Sequence, residues 1–519
     1  MAWMFLTAFT FGFQATQTGN AGHPRNHRKQ ADATAVRYLK GVETGLSELS
    51  PPMQTSLLLL ESNAYSAFDK AKAAELLNRS YDIFLSLPDQ ERPDIKALGA
   101  EVVSATARLS PGHIRSRLPE DPELKAIALR VLVESDLSAR RLSSAVALYQ
   151  RVDREPEVYQ AAREILLRLP SSDTERPNAV MLHAIWVFKN TEYPQVTTGA
   201  PDDLASVLVR FSDRFSDEIK REAIELLLKQ VKDNNRASRE RSMVGNFSGS
   251  PLVFVNAKEF RVFQLWPILR KLDEAQADRL LKESKQAAQW MQRFPDGAQS
   301  GRGSTREKEE KSASFGISHS SNESGDLLQR VELSSIESQT VAMAGTDLQN
   351  ALAQADRLPA DSSSRTLLGM ARVFLVKNPD LSKKVLSRWS VLSSSKLTSK
   401  EWHDFVEAAI YYAKLGDLEQ AQSVLKRASR FVADVYHEDA NPNDPNQAIK
   451  LFWPSSQHWG DIVEVAAALS PSCAEQIIAD INDDEIRASA EVTAAASLLR
   501  TPIWRGTSPM VIRRDTHLD

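Results

Sequence analysis

Apolar residues recur at steps of three and four along most of the chain, the spacing that places side chains on one side of a helix. The clearest stripe in 402–412 consists of Trp402, Phe405, Ala409 and Tyr412. Gly416 then suits the left-handed residue that ends a helix, and Asp417 can cap the next helix. The stripe that follows consists of Leu418, Ala421, Leu425, Ala428 and Val432. The segment 402–431 therefore predicts two antiparallel helices joined by one tight turn.

Part of this hairpin resembles a known repeat. The sequence YYAKLGDLEQAQSVLKRA resembles a tetratricopeptide repeat, and the matching residues are Tyr412, Gly416, Ala421, Leu425 and Ala428. The resemblance covers about thirty residues and is to a superfamily. It implies a stack of helical hairpins of the kind that usually binds other proteins.

Helical periodicity of the same kind extends over the rest of the chain. Further hairpin candidates lie at 54–87, 123–152, 260–291, 365–392 and 461–499. Single helices are predicted at about 157–168, 178–189, 201–211 and 216–232. Residues 251–256, PLVFVN, are the best strand candidate. Because the units are unevenly spaced, we predict an all-α fold of degenerate helical-hairpin repeats, a TPR-like α-solenoid without a fixed period.

Composition changes abruptly at Pro295, after which Gly, Ser, Lys and Glu dominate to Gly325. A segment with almost no large apolar residue predicts a disordered linker. The predicted organisation is a signal peptide at 1–21, an N-terminal helical array at 33–294, the linker at 295–325, a C-terminal array at 326–500 and a frayed tail at 501–519.

Overall composition excludes several classes of protein. Apolar residues make up 42% of the 519 residues and charged residues 25%, which is ordinary for a folded globular protein. The net charge of −4 gives no reason to expect nucleic acid as a partner. Cys473 is the only cysteine, so the chain has neither an intrachain disulfide nor a cysteine-based metal cluster. We expect Cys473 to be a small residue at a helix start.

The first 21 residues contain an uncharged apolar run from Ala2 to Phe13 that is too short to span a bilayer. Small residues allow cleavage after Ala21, which favours a secretory signal, although no basic residue precedes the run. The alternative is a mis-started or a buried N-terminus. The protein is therefore expected to be secreted or periplasmic if the signal operates, and cytoplasmic otherwise. No other stretch is long and apolar enough to predict a membrane span.

Metal-binding patterns are incomplete. His437 and Glu438 begin a metalloprotease motif, but no second histidine follows at the required spacing. Oxygen ligands of a calcium loop are offered by Asp439, Asn441, Asn443 and Asp444. However, Asp444 occupies the position of the required glycine and Lys450 that of the closing glutamate, so we expect a solvated loop. We therefore predict no metal site and no cofactor.

Other candidates for chemistry also have structural explanations. Gly297, Gly301 and Gly303 lack the context of a phosphate loop, and the sequence around Ser248 lacks the spacing of a nucleophile elbow. We expect His183 to be a packed, hydrogen-bonded residue. The carboxylate pairs Asp404 with Glu407 and Asp483 with Asp484 could serve two-carboxylate chemistry, but solvated or helix-capping roles are favoured. The aromatic residues Phe452, Trp453 and Trp459 predict core packing in preference to a binding patch.

The sequence thus favours a non-catalytic protein-binding or scaffolding module, with protein partners of unknown identity and no assigned catalytic, cofactor or metal residues. Solenoids have long concave surfaces, which is the basis of that expectation. The alternative is an enzyme on a helical toroid with a carboxylate-lined cavity of the glycan-active type. A structural protein of the cell envelope is a third hypothesis, and it depends on the signal peptide.

Overall fold

A computed structural model describes residues 24–66, 68–88, 90–191, 203–233, 243–247, 250–254, 256–297, 324–395, 397, 401–439 and 454–500. Nearly all regular structure in these residues is α-helical, which confirms the predicted class at that level. The chain divides into two compact units. Unit 1 contains the described residues up to Ser110 and from Leu328 onward, and unit 2 contains those from Pro111 to Leu327.

The helices in chain order are α1 (Pro24–Gly45), α2 (Pro51–Tyr65), α3 (Lys70–Leu85), α4 (Pro93–Leu109), α5 (Pro111–Ser116), α6 (Pro122–Ser138), α7 (Leu142–Tyr149), α8 (Glu157–Arg168), α9 (Arg176–Asn190), α10 (Leu204–Phe211), α11 (Asp217–Asp233) and α12 (Ala257–Leu272). They continue with α13 (Glu274–Glu283), α14 (Lys285–Arg293), α15 (Ser324–Ala344), α16 (Leu348–Ala355), α17 (Ala360–Lys377), α18 (Pro379–Ser395), α19 (Trp402–Lys414), α20 (Leu418–Asp439), α21 (Pro454–Leu469), α22 (Pro471–Ala479) and α23 (Asp484–Arg500). Short 3₁₀ turns lie at Leu46–Glu48 and Ser212–Arg214. None of these helices combines the length and the apolar character needed to cross a membrane.

The predicted division into two arrays is not confirmed. Helices α1 to α4, which the sequence places with residues up to 294, belong to unit 1 with the helices after Leu328. In unit 1, α1 and α2 both pack against α23. Contacts between helices so far apart in sequence leave no mark on local periodicity, so they could not be predicted from it.

Neighbouring helices in unit 1 pair as hairpins, α2 with α3, α17 with α18 and α19 with α20. The α19–α20 pair is the one predicted at 402–431. Gly416 adopts a φ of 80° at its turn, and Asp417 accepts a hydrogen bond from the Gln420 amide at 3.2 Å. Ala421 and Ala428 are fully buried. Small side chains at this seam let the two helices approach closely.

The core of unit 1 is centred on large buried rings from successive helices. The Trp389 indole N–H on α18 donates to Ser364 Oγ on α17 at 2.8 Å. The same ring meets Phe405 on α19 edge to face, with centroids 5.2 Å apart. This contact joins the α17–α18 hairpin to the α19–α20 hairpin.

Unit 2 contains helices α5 to α14 and the two described strands, β1 (Met243–Phe247) and β2 (Ser250–Phe254). The strands pair antiparallel with Met243 opposite Phe254. The prediction of a strand from residue 251 is therefore confirmed for β2, while β1 was not predicted. Buried Phe254 contacts Phe260 and Phe263 on α12, which attaches the hairpin to the core.

Several sequence predictions fall partly or wholly outside the described residues. The signal peptide at 1–21, most of the linker at 295–325 and the tail at 501–519 lie there. Gly297 is described and has a φ of 52°.

Candidate binding surface

Helix α9 exposes two large apolar side chains one turn apart. Leu182 is 46% exposed and Trp186 is 53% exposed. Residues three or four apart on a helix are neighbours on its surface, so Trp186 adjoins both His183 and Leu182. We call Leu182, His183 and Trp186 the Trp186 surface.

The His183 ring supports Trp186. The two rings stack with centroids 5.8 Å apart and an interplanar angle of 13°. His183 Nε2 lies 3.0 Å from the Val152 carbonyl oxygen. Because a carbonyl only accepts, Nε2 is the protonated nitrogen of this ring. The imidazole is therefore fixed in orientation below the exposed indole, as expected for a packed, hydrogen-bonded histidine.

A buried tyrosine completes this arrangement. Tyr149 on α7 meets the His183 ring edge to face at 4.8 Å. Its hydroxyl donates to the Val180 carbonyl on α9 at 2.8 Å. Burial raises the pKa of Tyr149 well above its ordinary value, so the hydroxyl stays protonated and remains a donor. Trp186 thus rests on His183, and His183 rests on Tyr149.

The opposite side of α9 holds the helix in the core of unit 2. Val180, Ala184 and Val187 are buried there. The Ser216 amide donates to Asn178 Oδ1 at 3.0 Å, and Lys189 pairs with Glu222 on α11. These contacts hold both ends of α9, so the Trp186 surface has a defined orientation in unit 2.

The loop beside the Trp186 surface carries charge. Arg151, Asp153 and Arg154 are exposed on either side of the Val152 residue that binds His183. An apolar patch bordered by charged and polar side chains has the composition of a protein interface, with an apolar centre and a polar rim.

The carboxylate pairs singled out in the sequence have structural partners. Asp404 and Glu407 are buried on α19, and the Tyr411 hydroxyl donates to Glu407. Asp483 accepts hydrogen bonds from the Glu485 and Ile486 amides at 3.0 and 3.1 Å, which caps α23. Asp483 thus has the capping role that was expected, whereas Asp404 and Glu407 are buried and not solvated.

Glu61, which was not among the sequence candidates, is a buried carboxyl group without a hydrogen-bond partner. Glu61 on α2 is fully buried, and neither of its carboxylate oxygens has a hydrogen-bond partner. Burial, and then the nearby charge of Glu43, raise the pKa of Glu61 to about 8. The Tyr65 hydroxyl donates to Glu43 Oε1 at 3.4 Å. Sequence reasoning missed Glu61, although its position four residues after Leu57 on an apolar stripe is the signal that would have found it.

The remaining candidates contribute no assembled site. Cys473 is buried in the first turn of α22, where Ser470 Oγ accepts from its amide at 3.0 Å, and burial raises the pKa of its thiol to about 11. Trp459 is buried. His458 lies against Trp402 with ring centroids 4.1 Å apart, and burial, followed by the neighbouring His403, lowers its pKa to about 4. His437 and Glu438 belong to the last turn of α20.

No three His, Cys, Asp or Glu side chains among the described residues are grouped to hold a metal ion. Most of the calcium-loop candidate, from residue 440 onward, lies outside those residues, as do Ser248, Gly301, Gly303, Phe452 and Trp453.

The sequence matches no known protein family, and no curated protein is significantly similar to it.

Proposed function

We propose that this protein is a non-catalytic, TPR-like helical module that binds another protein through the Trp186 surface. The observation that carries the proposal is an exposed tryptophan held at a fixed orientation by a histidine and a tyrosine beneath it. Exposed side chains normally lose rotamer freedom when a partner covers them. A ring that is already held in place loses less rotamer freedom on binding. It therefore gives a higher affinity than a mobile ring that buries the same area.

The residue types also fit an interface centre. Tryptophan is enriched among the few residues that dominate binding energy, and truncating such a residue costs about 2 kcal/mol or more. Leu182 extends the apolar area along α9, and the charged loop at Arg151 and Arg154 supplies a rim. The partner accordingly has an apolar pocket that receives an indole.

A helical enzyme is the second candidate, and the pair Glu43 and Glu61 favours it. A buried carboxyl group with a raised pKa, such as Glu61, beside a second carboxylate is an arrangement that acid–base enzymes use. Glu61, however, has no exposed surface in this structure, so a substrate would not reach it without movement of α2 or its neighbours. The binding function is therefore the better supported of the two.

The site of action depends on whether the N-terminal segment is a signal peptide. With cleavage after Ala21, the module acts outside the cytoplasm. Mass spectrometry of the mature protein tests this, because an intact Met1 would contradict it.

The binding proposal is tested with the full-length chain and two matched variants. Trp186→Ala removes the exposed ring, and Leu167→Ala removes a leucine on α8 that is 47% exposed. Partners are captured from the native source by cross-linking and identified by mass spectrometry, and the affinity of the purified partner is then measured. We expect Trp186→Ala to weaken binding at least thirtyfold, the equivalent of about 2 kcal/mol, and Leu167→Ala to leave it unchanged. Equal affinity of the partner for wild type and Trp186→Ala would refute the role of this surface.

A further inference from the structure

Glu61 lies at the turn end of the α2–α3 hairpin, four residues before the last residue of α2. Backbone hydrogen bonds close this turn, from the Ser66 amide to the Ser62 carbonyl at 2.9 Å and from the Asp69 amide to the Tyr65 carbonyl at 2.8 Å. Ser62 Oγ also donates to the Ala73 carbonyl on α3 at 2.8 Å. Opening of this end of the hairpin would therefore expose Glu61 to water.

The buried carboxyl group gains nothing from its surroundings by hydrogen bonding. Both oxygens are without a partner, whereas buried polar groups in folded proteins nearly always have one. An ionised carboxylate in that position would be strongly disfavoured, so the closed hairpin holds the neutral acid. The preference for the neutral acid follows from the position of the side chain, which is fully buried and has no hydrogen-bond partner.

Glu61 lies between a negative charge on α1 and positive charges on α3. Glu43 on α1 opposes its ionisation, and Lys72 and Arg79 on α3 favour it. Lys72 is half-buried and pairs with the exposed Glu75 at 3.2 Å, and Arg79 is exposed. A carboxylate released from the core would therefore find cations along α3.

Two other helices pack on α2, and they do not change this balance. Helix α4 carries Asp94, Lys96, Glu101 and Arg108, and α23 carries Asp484, Glu485, Arg487 and Glu491. None of these is among the charges that act on Glu61. The groups that decide its ionisation are those of α1 and α3.

We propose that the turn end of the α2–α3 hairpin is a proton-coupled switch, in which each opening releases the single proton of the Glu61 carboxyl group to water. The carboxylate formed on opening is stabilised by solvent and by Lys72, and closing requires the proton to return. Alkaline conditions therefore favour the open hairpin and acidic conditions the closed one. This inference is independent of the Trp186 surface, which belongs to unit 2.

Hydrogen–deuterium exchange of the full-length protein measures the opening directly. Peptides covering 58–75 report the amides of Ser66 and Asp69, and rates are normalised for intrinsic exchange at each pH. Release of one proton per opening predicts that the opening constant rises tenfold for each pH unit between about pH 5.5 and about pH 7.5. It levels off above about pH 8, where the closed form also loses the proton.

Variants separate this coupling from general effects of pH. Glu61→Gln keeps the shape without a titrating proton, and we expect its opening constant to be independent of pH. Glu61→Leu provides a second non-titrating side chain should the glutamine variant fold poorly. Glu43→Gln removes the opposing charge, so the levelling-off should move to lower pH. Glu48→Gln, an exposed glutamate of the 3₁₀ turn, should retain the tenfold dependence. A pH-independent opening constant in the wild type, or an unchanged slope in both Glu61 variants, would overturn the proposal.

Discussion

Replacing Glu61 with glutamine should change how the stability of unit 1 depends on pH. Folding raises the pKa of this carboxyl group from 4.5 to about 8, with burial as the main cause and Glu43 as the second. Each pH unit between these two values corresponds to about 1.4 kcal/mol per proton. The contribution of Glu61 to the free energy of unfolding should therefore be about 5 kcal/mol smaller above about pH 8 than below about pH 4.5.

The sign is opposite to that of a salt-bridged carboxylate. Above pH 4.5 the unfolded chain releases the Glu61 proton, whereas the folded chain keeps it up to about pH 8. The folded state thus binds more protons in this window, so stability falls as pH rises. The contribution is fully present below the unfolded pKa and is lost as the pH approaches the folded pKa. Glu61→Gln has no proton to release and lacks this dependence.

Urea unfolding at a series of pH values measures the effect, with Glu61→Gln and Glu48→Gln compared with the wild type. Between about pH 5 and about pH 7.5, Glu61→Gln should gain about 3 kcal/mol relative to the wild type. Glu48→Gln should follow the wild type throughout. If the profiles of the wild type and Glu61→Gln run parallel within about 0.5 kcal/mol, Glu61 is not held neutral by the fold.

Three further substitutions test the packing. Ala421→Asp should destabilise unit 1 by more than about 3 kcal/mol in thermal unfolding, because an unpaired charge enters the α19–α20 seam, while Gln422→Asp on the exposed side should have little effect. Ser364→Ala leaves the buried Trp389 N–H without its acceptor and should cost about 1–3 kcal/mol by urea unfolding. Adding Trp389→Phe to Ser364→Ala should cost no further hydrogen-bond energy, because that bond is already lost in the single variant. Asp136, fully buried on α6, accepts hydrogen bonds from Ser144, Arg141 and Arg115, which outweigh its burial and lower its pKa. Its stabilisation should be lost as pH falls through that lowered value, and Asp136→Asn, measured by acid titration of circular dichroism, should be less stable at neutral pH and lack this acid-dependent loss.

The parts of the fold that the sequence predicted are those with local causes. The α19–α20 hairpin follows from its two stripes and from Gly416 and Asp417 between them. Helix α2 lies in the hairpin predicted at 54–87, and it begins at Pro51 after a serine, as is common for a first turn. Strand β1 has no comparable signal, because MVGNF lacks a regular alternation and contains a glycine.

The candidate surface was harder to predict, for a physical reason. Trp186 and Trp389 both lie in apolar stretches of helices, yet the first is half exposed and the second fully buried. The sequence VMLHAIWVF around Trp186 is apolar on nearly every side of the helix, so periodicity does not show which side faces the core. Only the position of neighbouring helices decides it. The burial of Glu61 was not predicted for a different reason, since a glutamate is normally expected at the surface.

The packing of α1 and α2 on α23 affects the order in which the protein can form. Unit 2 is one continuous stretch of chain, whereas unit 1 is assembled from a stretch before it and a stretch after it. During synthesis on the ribosome, the middle of the chain has all its own helices available while the first helices still lack α23. A nascent chain must therefore keep the apolar stripes of α1 and α2 from aggregating until α23 has emerged.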